Sequence, residues 1–184
     1  MTIALINGPF GMGKSTAANL VVERMPSSML FDPEIIGSFM YHLVGPDIMA
    51  GDYQDLPLWR HLTVDVAHRL HTDCGRDLIV PMCLWRYDYF KEITDGFRQI
   101  ESTVICFRLT ATPATLKSRI LGRRDEDGGH EWCLGHMNSG LAAANDSRFG
   151  IEINTEGRTP NDVAESIAAH ISLREGQTLL VTSA

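Results

Sequence analysis

The segment Gly8-Pro9-Phe10-Gly11-Met12-Gly13-Lys14-Ser15 constrains the fold of this chain more than anything that follows it. It matches the pattern G-x-x-x-x-G-K-[ST], and it stands between an apolar run, Ile3 to Ile6, and a helical pattern that begins at Lys14. Each residue type has a physical reason. The glycines let the backbone turn back on itself and leave no side chain in the way of a polyphosphate. Backbone amides and the positive end of the following helix then face the anion. Lys14 is placed to reach the β- and γ-phosphates, and the Ser15 hydroxyl to ligate Mg²⁺. The expected cofactors are ATP and Mg²⁺. The expected nucleotide contacts are Gly8, Phe10, Gly11, Met12, Gly13, Lys14, Ser15 and Thr16.

With 184 residues, 44% of them hydrophobic, the chain is long enough for one domain with a proper core. A formal charge of −7 argues against a nucleic-acid partner. Cys74, Cys83, Cys106 and Cys133 are widely spaced, and two of them sit in apolar runs, so free thiols in a reducing compartment are expected. No basic, apolar leader opens the sequence and no run approaches the ~20 apolar residues of a membrane span. The expected location is cytoplasmic.

Periodicity predicts helices over 14–25, 33–44, 57–74, 89–100, 113–121, 131–145 and from 160 onward, the sixth of them weakened by Gly135 and Gly140. In the third, Trp59, Leu62, Val66 and Leu70 form one apolar face. Strands are expected at 3–6, 29–31, 78–82, 104–109 and 151–153, with a polar loop over 52–55 and a short tail after Glu175. Strands alternating with helices indicate an α/β domain with a mostly parallel sheet, helices on both faces, and ligands beyond the carboxyl ends of the strands.

Residues at those ends become candidates. Asp32 follows the second strand; with one strand between strands 1 and 2, the two ends stand about 10 Å apart, room for a phosphate and an acceptor hydroxyl. Its carboxylate suits proton acceptance or a metal-bound water, and equally a plain helix cap. Arg119, Arg123 and Arg124 flank a polar, lid-like segment at about 122–131 and could clamp a transferring phosphoryl group. Trp85 and Arg86 follow the third strand and suit an acceptor pocket, with Phe39 and Trp59 as apolar walls. His68, His71 and Cys74, and Cys133 with His136, lack the second half of a zinc site. No acidic residue ends the 80–82 or 107–109 runs, and no Asn-Lys-x-Asp segment occurs, which disfavours GTPase and motor classes and favours a small kinase.

Five segments together, INGPFGMGKS, FDPEIIG, DYQDLPLWR, LIVPM and NDVAESIA, resemble the tunicamycin resistance proteins, P-loop proteins similar to chloramphenicol phosphotransferase and the small-molecule kinases. The resemblance spans residues 2–172, and the four segments outside the loop are its specific part. It implies an ATP-binding protein that protects against tunicamycin, a nucleoside antibiotic with a fatty-acyl tail. It also implies a P-loop NTPase fold with a five-stranded parallel sheet in the order 2-3-1-4-5. In the related phosphotransferases an aspartate after the second strand acts as base toward the acceptor hydroxyl, and Asp32 matches that position. The group's loop commonly reads Ala-Phe-Gly-Ser-Gly-Lys-Thr; Pro9, Met12 and Ser15 differ here without removing a phosphate contact. A better-known member carries a C-terminal amphipathic, membrane-associating helix, and the absence of a basic amphipathic segment of that kind argues against membrane attachment.

The expectation is therefore one kinase-like domain over 1–184 that transfers phosphate from ATP to a hydroxyl of a small molecule, tunicamycin or a similar nucleoside-sugar. The alternatives are a protein that sequesters the drug unmodified, and a nucleotide or metabolite kinase. Oligomeric state and the choice of ATP over GTP stay open.

Overall fold

The computed structural model describes residues 1–45, 47–48, 51–124 and 129–182, with side chains described to residue 174. Strands β1 (Ile3–Asn7), β2 (Ser28–Leu30), β3 (Asp77–Met82), β4 (Val104–Thr110) and β5 (Ile151–Asn154) form a parallel sheet in the order β2-β3-β1-β4-β5. That is the α/β architecture and strand order the resemblance implied, and β3 is indeed the strand between β1 and β2. The unbroken apolar character of β1 follows from burial on both faces. Ile3 and Leu5 pack with Leu78 and Val80 on one side, whereas Ala4 and Ile6 pack with Ile79 and Phe107 on the other.

The first of these clusters is covered by α2 (Glu34–Val44), α3 (Pro57–Cys74) and α4 (Tyr87–Ile100). The second is covered by α1 (Lys14–Arg24), α5 (Pro113–Leu121) and α8 (Pro160–Thr182). Two shorter helices, α6 (Gly129–Gly135) and α7 (Met137–Asn145), follow α5. On α8, Val163, Ile167 and Ile171 are buried as their spacing predicts. Arg108, the one charged residue of β4, is structural: it donates to the Gly150 and Ala144 carbonyls at 3.2 and 2.6 Å and pairs with Glu152 at 2.8 Å.

Several elements depart from the sequence pattern. The helix expected over 131–145 breaks at His136, between α6 and α7. Gly140 is there for contact: a Cβ on it would stand 2.6 Å from the Pro9 Cβ, so only glycine lets α7 lie against the phosphate loop. On α3 the deepest stripe is Trp59, Thr63, Ala67 and His71, and Leu62, Val66 and Leu70 are half-buried beside it. The small side chains sit where the helix approaches its neighbours most closely, and the larger ones fill the flank. The polar stretch at 52–55 is not a loop but a short 3-10 turn, Tyr53–Asp55. It is held by Gln54, which is buried and donates to the Cys83 carbonyl at 3.0 Å. Helix α8 runs to Thr182 instead of ending near Glu175; adding a residue to a formed helix costs little, and Gly176 does not stop it. Cys83 is buried, with its thiol pushed up to about 11 by burial, but Cys74 is exposed at the end of α3.

Asn7 joins the fold to the site. Its side-chain amide donates to the Leu84 carbonyl at 2.9 Å and its oxygen accepts the Leu84 N–H at 2.8 Å, clamping the end of β1 to the loop after β3. Asn7→Ala strands both buried backbone groups, so an unfolding free energy lower by about 2–4 kcal/mol is expected in urea denaturation.

Candidate active site

The phosphate loop owes its shape to three glycines with different tasks. Gly8 packs so closely on β4 that a Cβ would meet Leu109 Cβ at 3.2 Å. Gly11 and Gly13 have φ of +78° and +89°, a region that side chains strain. A Cβ on Gly11 would meet Ile120 at 2.8 Å, whereas Gly13 has nothing within 4 Å: it faces open space. Gly13 is also the N-cap of α1, and no side chain caps that helix. The first-turn amides therefore point outward without a side-chain acceptor, an arrangement suited to an anion.

Those amides border a cavity of 540 Å³ whose walls include Phe10, Lys14, Ser15, Thr16, Glu34 and Arg123. Lys14 is buried; its Nζ donates to the Pro9 carbonyl at 3.1 Å and lies 5.5 Å from the centre of the Phe10 ring. Exposed hydroxyls of Ser15 and Thr16 lie on the first turn of α1. An ammonium, uncapped amides and two hydroxyls around open space are the donor set a magnesium-bound polyphosphate needs.

Glu34 was not singled out in the sequence, and it is the carboxylate that lines this cavity. Burial pushes its carboxyl above the ordinary 4.5, the Lys14 and Arg123 cations pull it back, and Asp32 and Asp52 push it up again. Asp32 stands at the end of the β2 segment, but its Oδ1 accepts the Glu34 N–H at 3.0 Å, and among the described residues it is not part of the cavity wall. The cap is thus realised, and it holds the turn that carries Glu34. The sequence signal was available: a second acid in the first turn of the helix that Asp32 caps.

The arginines divide. Arg119 is fixed by Thr155, donating to its Oγ1 at 2.8 Å and its carbonyl at 2.9 Å, with Met12 Sδ 3.9 Å away. It separates the phosphate cavity from an adjoining one of 290 Å³, lined also by Met12, Thr155, Arg158 and Val163. Arg123 reaches the phosphate cavity, and Arg124 lines neither. Residues 125–128 of the expected lid lie outside the described residues.

After β3, Trp85 packs on Phe10 with ring centres 6.2 Å apart, and with Arg86 it lines a further cavity. Trp59 lines neither the phosphate cavity nor the one beside Trp85; it is 2% exposed, and its indole N–H donates to the Pro33 carbonyl at 3.0 Å, bracing the turn between Asp32 and Glu34. Phe39 lines neither of these two cavities: it is 59% exposed, on an outward face of α2 with Ile35 and Leu43.

This is a kinase-like P-loop fold, and the chain belongs to the AAA domain family, whose model matches residues 3–139. Among solved structures it is similar to a tunicamycin resistance protein of Deinococcus radiodurans, 28% identical, with a TM-score of 0.75 over 92% of this chain and 95% of that one. A gluconokinase of Sinorhizobium meliloti is 11% identical, with a TM-score of 0.66 over 100% of this chain and 97% of that one. A sugar kinase of a Janibacter species is 16% identical, with a TM-score of 0.61 over 94% and 95%. These two kinases show the shared fold. The likeness to a tunicamycin resistance protein agrees with the segments quoted above. A search of curated proteins finds no match. Among the described residues, no helix is long and apolar enough to cross a membrane.

Proposed function

We propose that the chain transfers the γ-phosphoryl group of ATP, bound with Mg²⁺, to a hydroxyl of a small molecule, with tunicamycin or a similar nucleoside-sugar as acceptor. The observation that carries this is a carboxyl of raised pKa, Glu34, facing the same cavity as the Lys14 ammonium and the uncapped start of α1. Lys14 and the loop amides would hold the phosphates, Ser15 would hold the metal, and the cavity lined by Arg119 and Thr155 would receive the nucleobase. Bound MgATP supplies the electrophilic phosphorus. Glu34 takes the acceptor hydroxyl's proton as the new oxygen–phosphorus bond forms and the bond to the bridging oxygen breaks. Asp32 positions Glu34 through its N–H. Arg123 neutralises charge on the transferring group, with Arg124 next to it in the chain as a second cation.

The test is incubation with labelled ATP and tunicamycin, followed by mass spectrometry of the drug. A phosphorylated drug supports the proposal. A drug that stays unmodified while ATP is bound overturns it for that acceptor and leaves sequestration as the mode of protection.

A further inference from the structure

A cavity of 450 Å³ lies at the start of β4 and β5, and none of the residues assigned above to phosphate transfer lines it. Its walls include Val104, Cys106 and Ile151 together with Arg98, Arg148 and Arg174. In the pairing of β1 with β4, Val104 lies opposite Ile3, whereas the phosphate loop follows Asn7 at the other end of β1. The cavity therefore sits at the edge of the sheet away from the candidate active site. Its three arginines come from three separate elements. Arg98 is in the last turn of α4, Arg148 in a 3-10 turn before β5, Ser147–Phe149, and Arg174 on α8. Helix α4 covers one face of the sheet and α8 the other, so only the fold brings these cations together.

Charge makes the cluster notable. The chain carries a formal charge of −7, yet among the described residues no carboxylate lines this cavity. The acids that meet its arginines are close neighbours in the chain and stand outside its walls. Arg98 pairs with Asp95 at 2.9 Å, and Arg148 pairs with Asp146 at 2.6 Å while stacking over the Tyr87 ring at 4.3 Å. Pairs as exposed as these are weak, and a guanidinium has five N–H donors, so an anion is received without expelling the acid. Glu101 accepts from the Ser102 hydroxyl at 3.1 Å and the Thr103 N–H at 3.2 Å, and its other oxygen faces His71 at 3.2 Å. The field of Arg98 reaches inside: burial pushes the Cys106 thiol up to about 11, and Arg98 is the charge that pulls it back.

The cavity is of the size that holds small molecules. A carboxylate would bring one charge and two oxygens, whereas a phosphoryl group brings up to two charges and three oxygens. Planar arginine forks approaching from three sides match the second better, and they have room for more than one such group. We infer that this cavity binds a small molecule carrying two phosphoryl groups, at a site separate from the phosphate loop. The inference does not depend on the proposed transfer and is read without turnover.

The experiment is calorimetric titration of the intact wild-type and Lys14→Met chains with fructose 1,6-bisphosphate, fructose 6-phosphate and fructose, in the absence of Mg²⁺. In both chains the bisphosphate is expected to bind at least ~10-fold more tightly than the monophosphate, and fructose not measurably. The Arg98 side chain is 51% exposed and Arg174 is exposed, so Arg98→Gln and Arg174→Gln keep the fold. Each should weaken the bisphosphate at least ~5-fold, the loss of one charge-assisted contact. Arg69→Gln removes the same charge from the exposed side of α3 and should change nothing. Absence of bisphosphate binding, or a monophosphate that binds equally well, overturns the inference. So does loss of binding in Lys14→Met, which would make the phosphate loop the site, or an equal loss in Arg69→Gln, which would reduce the effect to net charge.

Discussion

Lys14→Met is expected to lower the rate of phosphoryl transfer ~10²–10³-fold, the loss typical of removing one preorganised donor from a developing anion. The site makes the loss hard to repair. Lys14 is 7% exposed, and its ammonium is held by the Pro9 carbonyl and over the Phe10 ring at the wall of the phosphate cavity. Methionine keeps an unbranched stem over Phe10, so packing survives and the change in melting temperature should be small. Arginine should not rescue, because a planar fork cannot occupy the position of a compact ammonium in this enclosure. ADP affinity, read by calorimetry, should fall along with turnover. Unaltered ADP affinity and turnover in Lys14→Met would remove the phosphate loop from the mechanism. The variant has a second consequence: Lys14 is the cation that most lowers the Glu34 pKa, so its loss pushes that carboxyl still higher.

What could be read in the sequence was local. The loop needs only residues 8–15 and the elements at its ends, and the strands announce themselves by short apolar runs, interrupted by Arg108 in β4 and Glu152 in β5. What could not be read depends on which side chain a distant element turns inward. Asp32 and Glu34 are both acids beside the second strand; only the pitch of the α2 first turn decides that one caps and the other enters the cavity. Trp59 and Phe39 are equally apolar on paper, yet one is sealed beneath α2 and the other lies on its outer face. Arg119, Arg123 and Arg124 stand together in the sequence, but α5 does not carry all three. It ends at Leu121, one further turn bonds Arg123 N–H to the Ile120 carbonyl at 3.2 Å, and Arg124 lies outside the cavity wall. Trp132 and His136 line the cavity beside Trp85 where α6 ends at Gly135 and α7 begins at Met137, and a periodic pattern does not show such a break. Gly140 read as a weak point in a helix because the Pro9 it touches lies 131 residues earlier in the chain.

Glu34→Gln is expected to lower turnover ~10²–10⁴-fold, the range for removing a positioned general base, with ATP affinity nearly kept. The pH profile identifies the role. A base works when ionised, and burial holds this carboxyl's pKa above 4.5, so wild-type turnover should rise with pH through a limb that begins above the ordinary carboxylate range. In Glu34→Gln that limb should vanish, and the residual rate should be flat across it. Stability moves the other way. A carboxyl with a raised pKa in the folded state stabilises the fold below its unfolded pKa, and that contribution is lost as pH rises through the folded value. At neutral pH the glutamine variant, carrying no charge to desolvate, should melt no lower than wild type. Asp32→Asn is the control that separates the two acids. Asparagine caps a helix as well as aspartate, so the Glu34 N–H keeps its acceptor and turnover should stay within a few-fold of wild type. If instead Asp32→Asn loses the acidic limb while Glu34→Gln retains it, the proton goes to Asp32, and the raised pKa of Glu34 marks only its burial beside the phosphate loop.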